Sequence, residues 1–191
     1  MKPILIDFPE KIETARLYMR PAMPGDGKIV HEAIIASIDE LKKWLPFAQK
    51  EQSEEDVEAG LRKSYGQFIL REDFRIHIYR KEDDAFVGST GLHRIDWDVR
   101  KFEIGYWGDS RYQKNGYIAE AAEGLTKFAF EHFDANRIEI RCDPKNVNSS
   151  KIPERLGFQL EGILVNDSLS ADGTELRDTC VYAKVCKKAP A

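Results

Sequence analysis

Residues 111–133 read RYQKNGYIAEAAEGLTKFAFEHF, a short polar loop with one glycine that runs directly into a strongly helical stretch. A loop feeding straight into a helix leaves the first backbone N–H groups without intrahelical partners. The positive end of the helix dipole adds to them, so such a junction can cradle a phosphate. Read alone, the same glycine-bearing loop only turns the chain. Within the helical run Ala121, Leu125, Phe128 and Ala129 recur at helical spacing and form a core stripe rather than a cofactor face.

Working outward, KFEIGYW (101–107) alternates as a strand, and FRIHIYR (74–80) and FVGSTGLHRID (86–96) precede it around the charged turn KEDDA. These three strands form a meander. Earlier still, ARLYMRP (15–21) alternates Leu17 and Met19 against Tyr18 and Arg20 and ends at Pro21. Two helices separate it from the meander. The first is capped by Asp26, carries Ile29, Val30, Ala33, Ile34 and Ser37, and continues irregularly toward Pro46. The second opens with Ser53 three residues before Asp56, a capping-box spacing, and presents Val57, Leu61, Tyr65 and Phe68 on one face. Downstream, RIEIRC (137–142) is a strand and NSSKIPERLGF (148–158) a short helix halted at Gly157. FQLEGILV and LRDTCVYAKV are strands separated by a loop with an Asp172-Gly173 turn. The order β α α β β β α β α β β predicts an α+β (mixed α/β) fold, about seven strands and four helices around one sheet, as a single domain over 1–191.

Composition narrows the function. The 191 residues carry a formal charge of −4, which argues against a duplex-nucleic-acid binder that needs many phosphate contacts. The N-terminal apolar run is broken by Asp7 and Pro9, and nothing approaches the roughly 20 apolar residues of a membrane span, so a cytoplasmic protein is expected. Cys142, Cys180 and Cys186 form no CxxC pair and read as buried free thiols. His31, His77, His93 and His132 lie scattered with no HExxH, so no metal is expected. GxxxxGK[ST], GxGxxG and GxSxG are all absent, which removes the usual support for nucleotide hydrolysis, Rossmann redox chemistry and an α/β-hydrolase elbow.

The run QKNGYIAEA (113–121) resembles the Q/R-x-x-G-x-G/A signature of the Gcn5-related N-acetyltransferase (GNAT) superfamily, and EIGYW before it is typical of the same group. NVNSSKIPERLGFQLEG (146–162) resembles the superfamily's later N-x-x-S segment and closing G-F, with Asn146, Ser149 and Gly157-Phe158 at the expected separations. With TARLYMRP and DGTELRDTCVYA the resemblance covers nearly the whole chain, and it looks closest to the branch that acetylates ribosomal-protein N-termini. It implies that residues Gln113, Lys114, Asn115, Gly116, Tyr117, Ile118 and Ala119 hold the pyrophosphate of acetyl-CoA through their amides. It also implies a sheet splayed to admit pantetheine, whose amides meet Asn146. Two departures stand out. Lys114 replaces a common glycine and either adds a phosphate charge or sits in solvent; Ile118 takes the second small position and either narrows the loop or, the favoured reading, packs beneath the helix. The Tyr117 ring reads as a surface aromatic.

Acetyl transfer from a thioester to an amine requires a neutral nucleophile, a stabilised oxyanion and a proton for the departing thiolate. The resemblance points to a backbone amide around Tyr106 and Trp107 for the oxyanion, the alternative being two half-buried sheet aromatics. It points to Ser149 for the thiolate, against a reading of Ser149 as a helix cap. Asn146 alternatively forms an Asx turn after Pro144. Glu103 is the candidate base, against a reading as an exposed strand glutamate, with Asp167 and Glu161 as weaker alternatives, while His93 reads as a hydrogen-bonded structural histidine. An α-amine of pKa about 7.8 is about one-third neutral at pH 7.5, against about 0.1% for a lysine of pKa about 10.4. With no outstanding base in the sequence, a protein N-terminus is the easier acceptor. Acetylation of a polyamine or antibiotic, or acyl-CoA binding without catalysis, are the alternatives.

Overall fold

The computed structural model describes residues 2–186. One sheet has the order β1-β2-β3-β4-β5-β6-β8-β7. Its strands are β1 (Ile12–Glu13), β2 (Leu17–Pro21), β3 (Phe74–Arg80), β4 (Phe86–Asp96), β5 (Lys101–Gly108), β6 (Arg137–Cys142), β7 (Gln159–Leu169) and β8 (Leu176–Val185). All neighbours pair antiparallel except β5 and β6, which are parallel and joined by a helical crossover. The helices are α1 (Gly27–Ala36), α2 (Ile38–Leu41), α3 (Glu54–Leu70), α4 (Tyr117–His132) and α5 (Val147–Arg155). The α+β architecture matches the sequence reading, with two short additions. β1 is a two-residue strand beside β2, and the first helix breaks at Ser37, whose hydroxyl accepts from the Ser110 N–H at 2.8 Å.

Period-2 alternation sorts the central strands onto two faces. Phe74, Ile76 and Ile78 of β3 and Phe102 and Ile104 of β5 pack with the α4 stripe, of which Ala121, Leu125, Phe128 and Ala129 are all buried. Tyr79 and Phe86 pack on the other face with Val30 and Ile34 of α1 and Val57 and Leu61 of α3. Truncating a fully buried residue such as Leu125 to alanine costs about 2–5 kcal/mol. The capping box of α3 forms as its sequence predicts: the Asp56 amide donates to the Ser53 hydroxyl at 3.1 Å, and the Asp56 carboxylate accepts from the Ser53 amide at 3.0 Å.

Two expectations need correcting. Asp26 occupies the N-cap position of α1 but its side chain does not cap the helix. Its carboxylate instead accepts from Arg20 at 2.7 and 2.8 Å, from the Met23 amide at 2.9 Å and from His77 Nδ1 at 3.1 Å. These bonds hold its pKa far below the ordinary range despite burial. Glu58 of α3 caps α1 in its place, accepting from the amides of Gly25 and Gly27. Cys142 and Cys180 are buried free thiols, but Cys186 is exposed because it follows the last residue of β8.

Candidate active site

The loop into α4 is shaped by two residues in the left-handed region, Lys114 at φ 64° and Gly116 at φ 77°. Gly116 is the N-cap residue of α4 and supplies no side-chain cap. None of the backbone N–H groups of residues 114–119 donates to an acceptor among the described residues. A convergent set of free amides at the positive end of a 16-residue helix fits a pyrophosphate. The Gln113 and Lys114 side chains extend into solvent, and Asn115 Nδ2 braces the loop by donating to the Tyr112 and Gln113 carbonyls. Ile118 packs under the helix. Its side chain stands over the facing pair Gly88 and Gly108, where a Cβ on either would come within 3.0 Å.

Arg16, about 100 residues away in the sequence, fastens this loop. Its guanidinium pairs with Glu120 in the first turn of α4 at 2.7 Å, donates to the Asn115 carbonyl at 3.1 Å and lies 4.8 Å from the Tyr117 ring centre. The Thr14 hydroxyl and the Arg16 amide also donate to Glu120. No local pattern in TARLYMRP announces this role.

Beyond Glu103↔Glu139 the pairing of β5 with β6 ends, although both strands continue, to Gly108 and Cys142. The sheet therefore opens at its centre. The Asp109 amide donates to the Val87 carbonyl at 2.9 Å, which makes Gly88↔Gly108 a non-hydrogen-bonded pair. By alternation the Trp107 amide is directed at Ser89 of β4, while the Tyr106 amide points into the opening. Of the two amides that sequence reasoning offered, this register pairs that of Trp107 with β4 and leaves that of Tyr106 facing the opening. The Trp107 ring packs toward Phe86 and Phe47 on the α1 face.

Ser149 and Tyr106 meet across that opening. The Tyr106 hydroxyl donates to the Ser149 carbonyl at 3.0 Å, and the Ser149 hydroxyl lies 3.4 Å from the Tyr106 oxygen. Burial raises the Tyr106 pKa and keeps the phenol protonated. Asn146, not Ser149, caps α5, its Oδ1 accepting from the Ser149 amide at 3.1 Å. The Ser149 hydroxyl is thus free of capping duty. The Tyr106 side chain escaped sequence reasoning, because only the splayed strands bring a β5 hydroxyl beside α5. Nearby, burial pushes the Cys142 thiol up to about 11.

The opposite face of β5 carries Glu103, Gly105 and Trp107. Glu103 borders a cavity of about 240 Å³ together with Lys43, Trp44, Arg94, Arg141 and Asp167. Burial raises its pKa against the pull of Arg94, Arg141 and His93, and its Oε2 has no hydrogen-bond partner among the described residues. A half-buried carboxylate whose pKa is raised by burial is a stronger base than an exposed one. The weaker alternatives are committed elsewhere, Asp167 to Arg141 at 3.0 Å and Glu161 to Arg137. Among the described residues no three His, Cys, Asp or Glu side chains group as metal ligands, and no helix is long and apolar enough to cross a membrane.

The sequence is similar to known proteins over most of its length. Residues 16–159 match the model of the acetyltransferase (GNAT) domain. YdaF of Bacillus subtilis (strain 168), whose name assigns it provisionally to the ribosomal N-acetyltransferases, is 31% identical over 86% of this chain and 88% of its own. The ribosomal-protein-serine acetyltransferase of Escherichia coli (strain K12) is 28% identical over 83% of this chain and 86% of its own. In fold, the chain resembles RimL, a ribosomal L7/L12 alpha-N-protein acetyltransferase solved in complex with coenzyme A, with a TM-score of 0.85, 20% identity and coverage of 92% and 98%. With the open sheet, the amide-lined loop and the matched domain in agreement, the chain belongs to the GNAT family of N-acetyltransferases.

Proposed function

We propose that the protein transfers acetyl from acetyl-CoA to the N-terminal α-amine of a ribosomal or similar protein, by direct attack within a ternary complex. The observation that carries this reading is the end of β5–β6 pairing after Glu103↔Glu139, which turns the Tyr106 amide into a slot bordered by Ser149. The free amides of residues 114–119 suit the pyrophosphate, and half-buried Asn146 stands by the slot for pantetheine. The Tyr106 amide meets the developing oxyanion. Ser149, backed by the Tyr106 hydroxyl, returns a proton to the thiolate, and Glu103 at the acceptor cavity favours loss of the ammonium proton. A Cys142 thiol held in its protonated form supports direct attack over an acetyl-cysteine intermediate.

The named relatives support a ribosomal-protein acceptor, and an α-amine of pKa about 7.8 demands less of a base than a lysine of pKa about 10.4. Incubation with acetyl-CoA and a panel of N-terminal peptides, N-blocked lysine peptides and polyamines, read by mass shift, tests it. N-terminal peptides gain an acetyl group fastest. Preference for polyamines or other small amines would replace the acceptor assignment, and acetyl-CoA binding without transfer to any amine would remove the catalytic reading.

A further inference from the structure

His93 has no task in the mechanism above, yet its placement is specific. Its Nδ1 lies 2.7 Å from Oδ2 of Asp73, in the turn before β3. The carboxylate accepts, so Nδ1 carries a proton, and in the neutral ring Nε2 holds the lone pair. That Nε2 has no hydrogen-bond partner among the described residues. The ring lies across Gly91 and Gly105, which face each other in the β4–β5 register. A Cβ on Gly91 would stand 2.7 Å from Nε2, and one on Gly105 would stand 3.3 Å from it. The two glycines therefore make the space that the imidazole fills. Nε2 stands over the residue just before Tyr106, on the face shared with Glu103, and 34% of the side chain remains accessible. Glu103 is the register partner of His93 and follows it on the same side of the opening.

We propose that His93 is the direct proton acceptor in acetyl transfer, that Asp73 positions it, and that Glu103 acts as an anionic neighbour rather than the group that receives the proton. The proposal rests on the acetyl-transfer reading. The amine lone pair forms the C–N bond at the thioester carbonyl carbon, and the carbonyl π pair moves onto oxygen at the Tyr106 amide. The N–H proton passes to His93 Nε2. Re-formation of the carbonyl breaks the C–S bond, whose electron pair leaves on sulfur and takes a proton from the Ser149–Tyr106 hydroxyl pair. The imidazolium, held by Asp73, then releases its proton to solvent, and the Ser149–Tyr106 hydroxyl pair takes one back from solvent.

Chemical rescue tests this with the full chain, acetyl-CoA and an N-terminal peptide. His93→Ala is expected to lower kcat by about 10²- to 10³-fold with acetyl-CoA affinity unchanged, and added imidazole is expected to restore at least tenfold of the loss by filling the space above Gly91 and Gly105. Asp73→Asn is expected to lower kcat about tenfold at constant KM, and to cost nothing further in the His93→Ala background. Activity of His93→Ala within about threefold of wild type, a loss that imidazole does not reverse, or independent and additive losses would each overturn the proposal. Wild-type protein that acetylates no amine would instead overturn the transferase reading beneath it.

Discussion

The proposed donor side and the proposed acceptor side of the slot are built differently. On the proposed donor side one continuous segment, residues 114–119, presents free backbone amides, while the Gln113 amide donates instead to the Ser110 carbonyl at 3.3 Å. On the proposed acceptor side Glu103 and Tyr106 of β5, His93 of β4 and Asp73 of the turn before β3 come from two strands and a turn and are brought near one another only by register. A backbone site of this kind tolerates side-chain change, as Lys114 and Ile118 illustrate. A site made by register depends on individual side chains and on the small residues that admit them, as the Gly91–Gly105 pair does for His93. Variants on the two sides should therefore separate, the donor side governing acetyl-CoA affinity and the acceptor side governing turnover.

The largest effect is expected from Gly116→Pro. Gly116 sits at φ 77°, a conformation closed to proline, and proline also removes an N–H from the anion site. Calorimetry should show acetyl-CoA affinity lost by at least about 100-fold in a protein whose core still folds; unchanged affinity would reduce the loop to a turn. Next comes Ser149→Ala, which should lower kcat by about 10- to 100-fold at near-constant acetyl-CoA affinity. Because Asn146 supplies the α5 cap, thermal stability should barely change. A stability loss with intact kcat per folded molecule would contradict the assignment. Glu103→Gln should act more weakly and in a pH-dependent way. The loss should be several-fold at about pH 6.5 and smaller at about pH 9, where an α-amine is already neutral. Arg16→Ala is the mildest. Arg16 is half exposed, so losing its Glu120 pair should cost about 1 kcal/mol or less of stability and a few-fold in acetyl-CoA affinity.

The same contrast explains what was legible in the sequence. Strand alternation, the α4 stripe and the Ser53–Asp56 capping box are local patterns, and each formed where its residues predicted. The shape of the loop was equally legible, because Gly116 and the free amides around it are consecutive in the chain. Asp26 was misassigned because a good capping residue was drawn into a buried cluster with Arg20 and His77 whose partners lie on other strands. Arg16 and the Tyr106 hydroxyl gave no local signal, since Glu120 and Ser149 reach them only in the folded sheet. His93 read as a hydrogen-bonded structural histidine and does bond Asp73, but its partner 20 residues away and the Gly105 opposite it were set by strand pairing rather than by a local pattern.

The most direct test of the account is the pH dependence of kcat/KM for two acceptors that differ only in the reacting amine, an N-terminal peptide and its N-blocked lysine counterpart. For the α-amine, kcat/KM should exceed that for lysine throughout, rise with pH to about 7.8 and then flatten, whereas the lysine peptide should keep rising toward about pH 10. A lysine peptide preferred at every pH would contradict an α-amine acceptor while leaving the acetyl-CoA site in place.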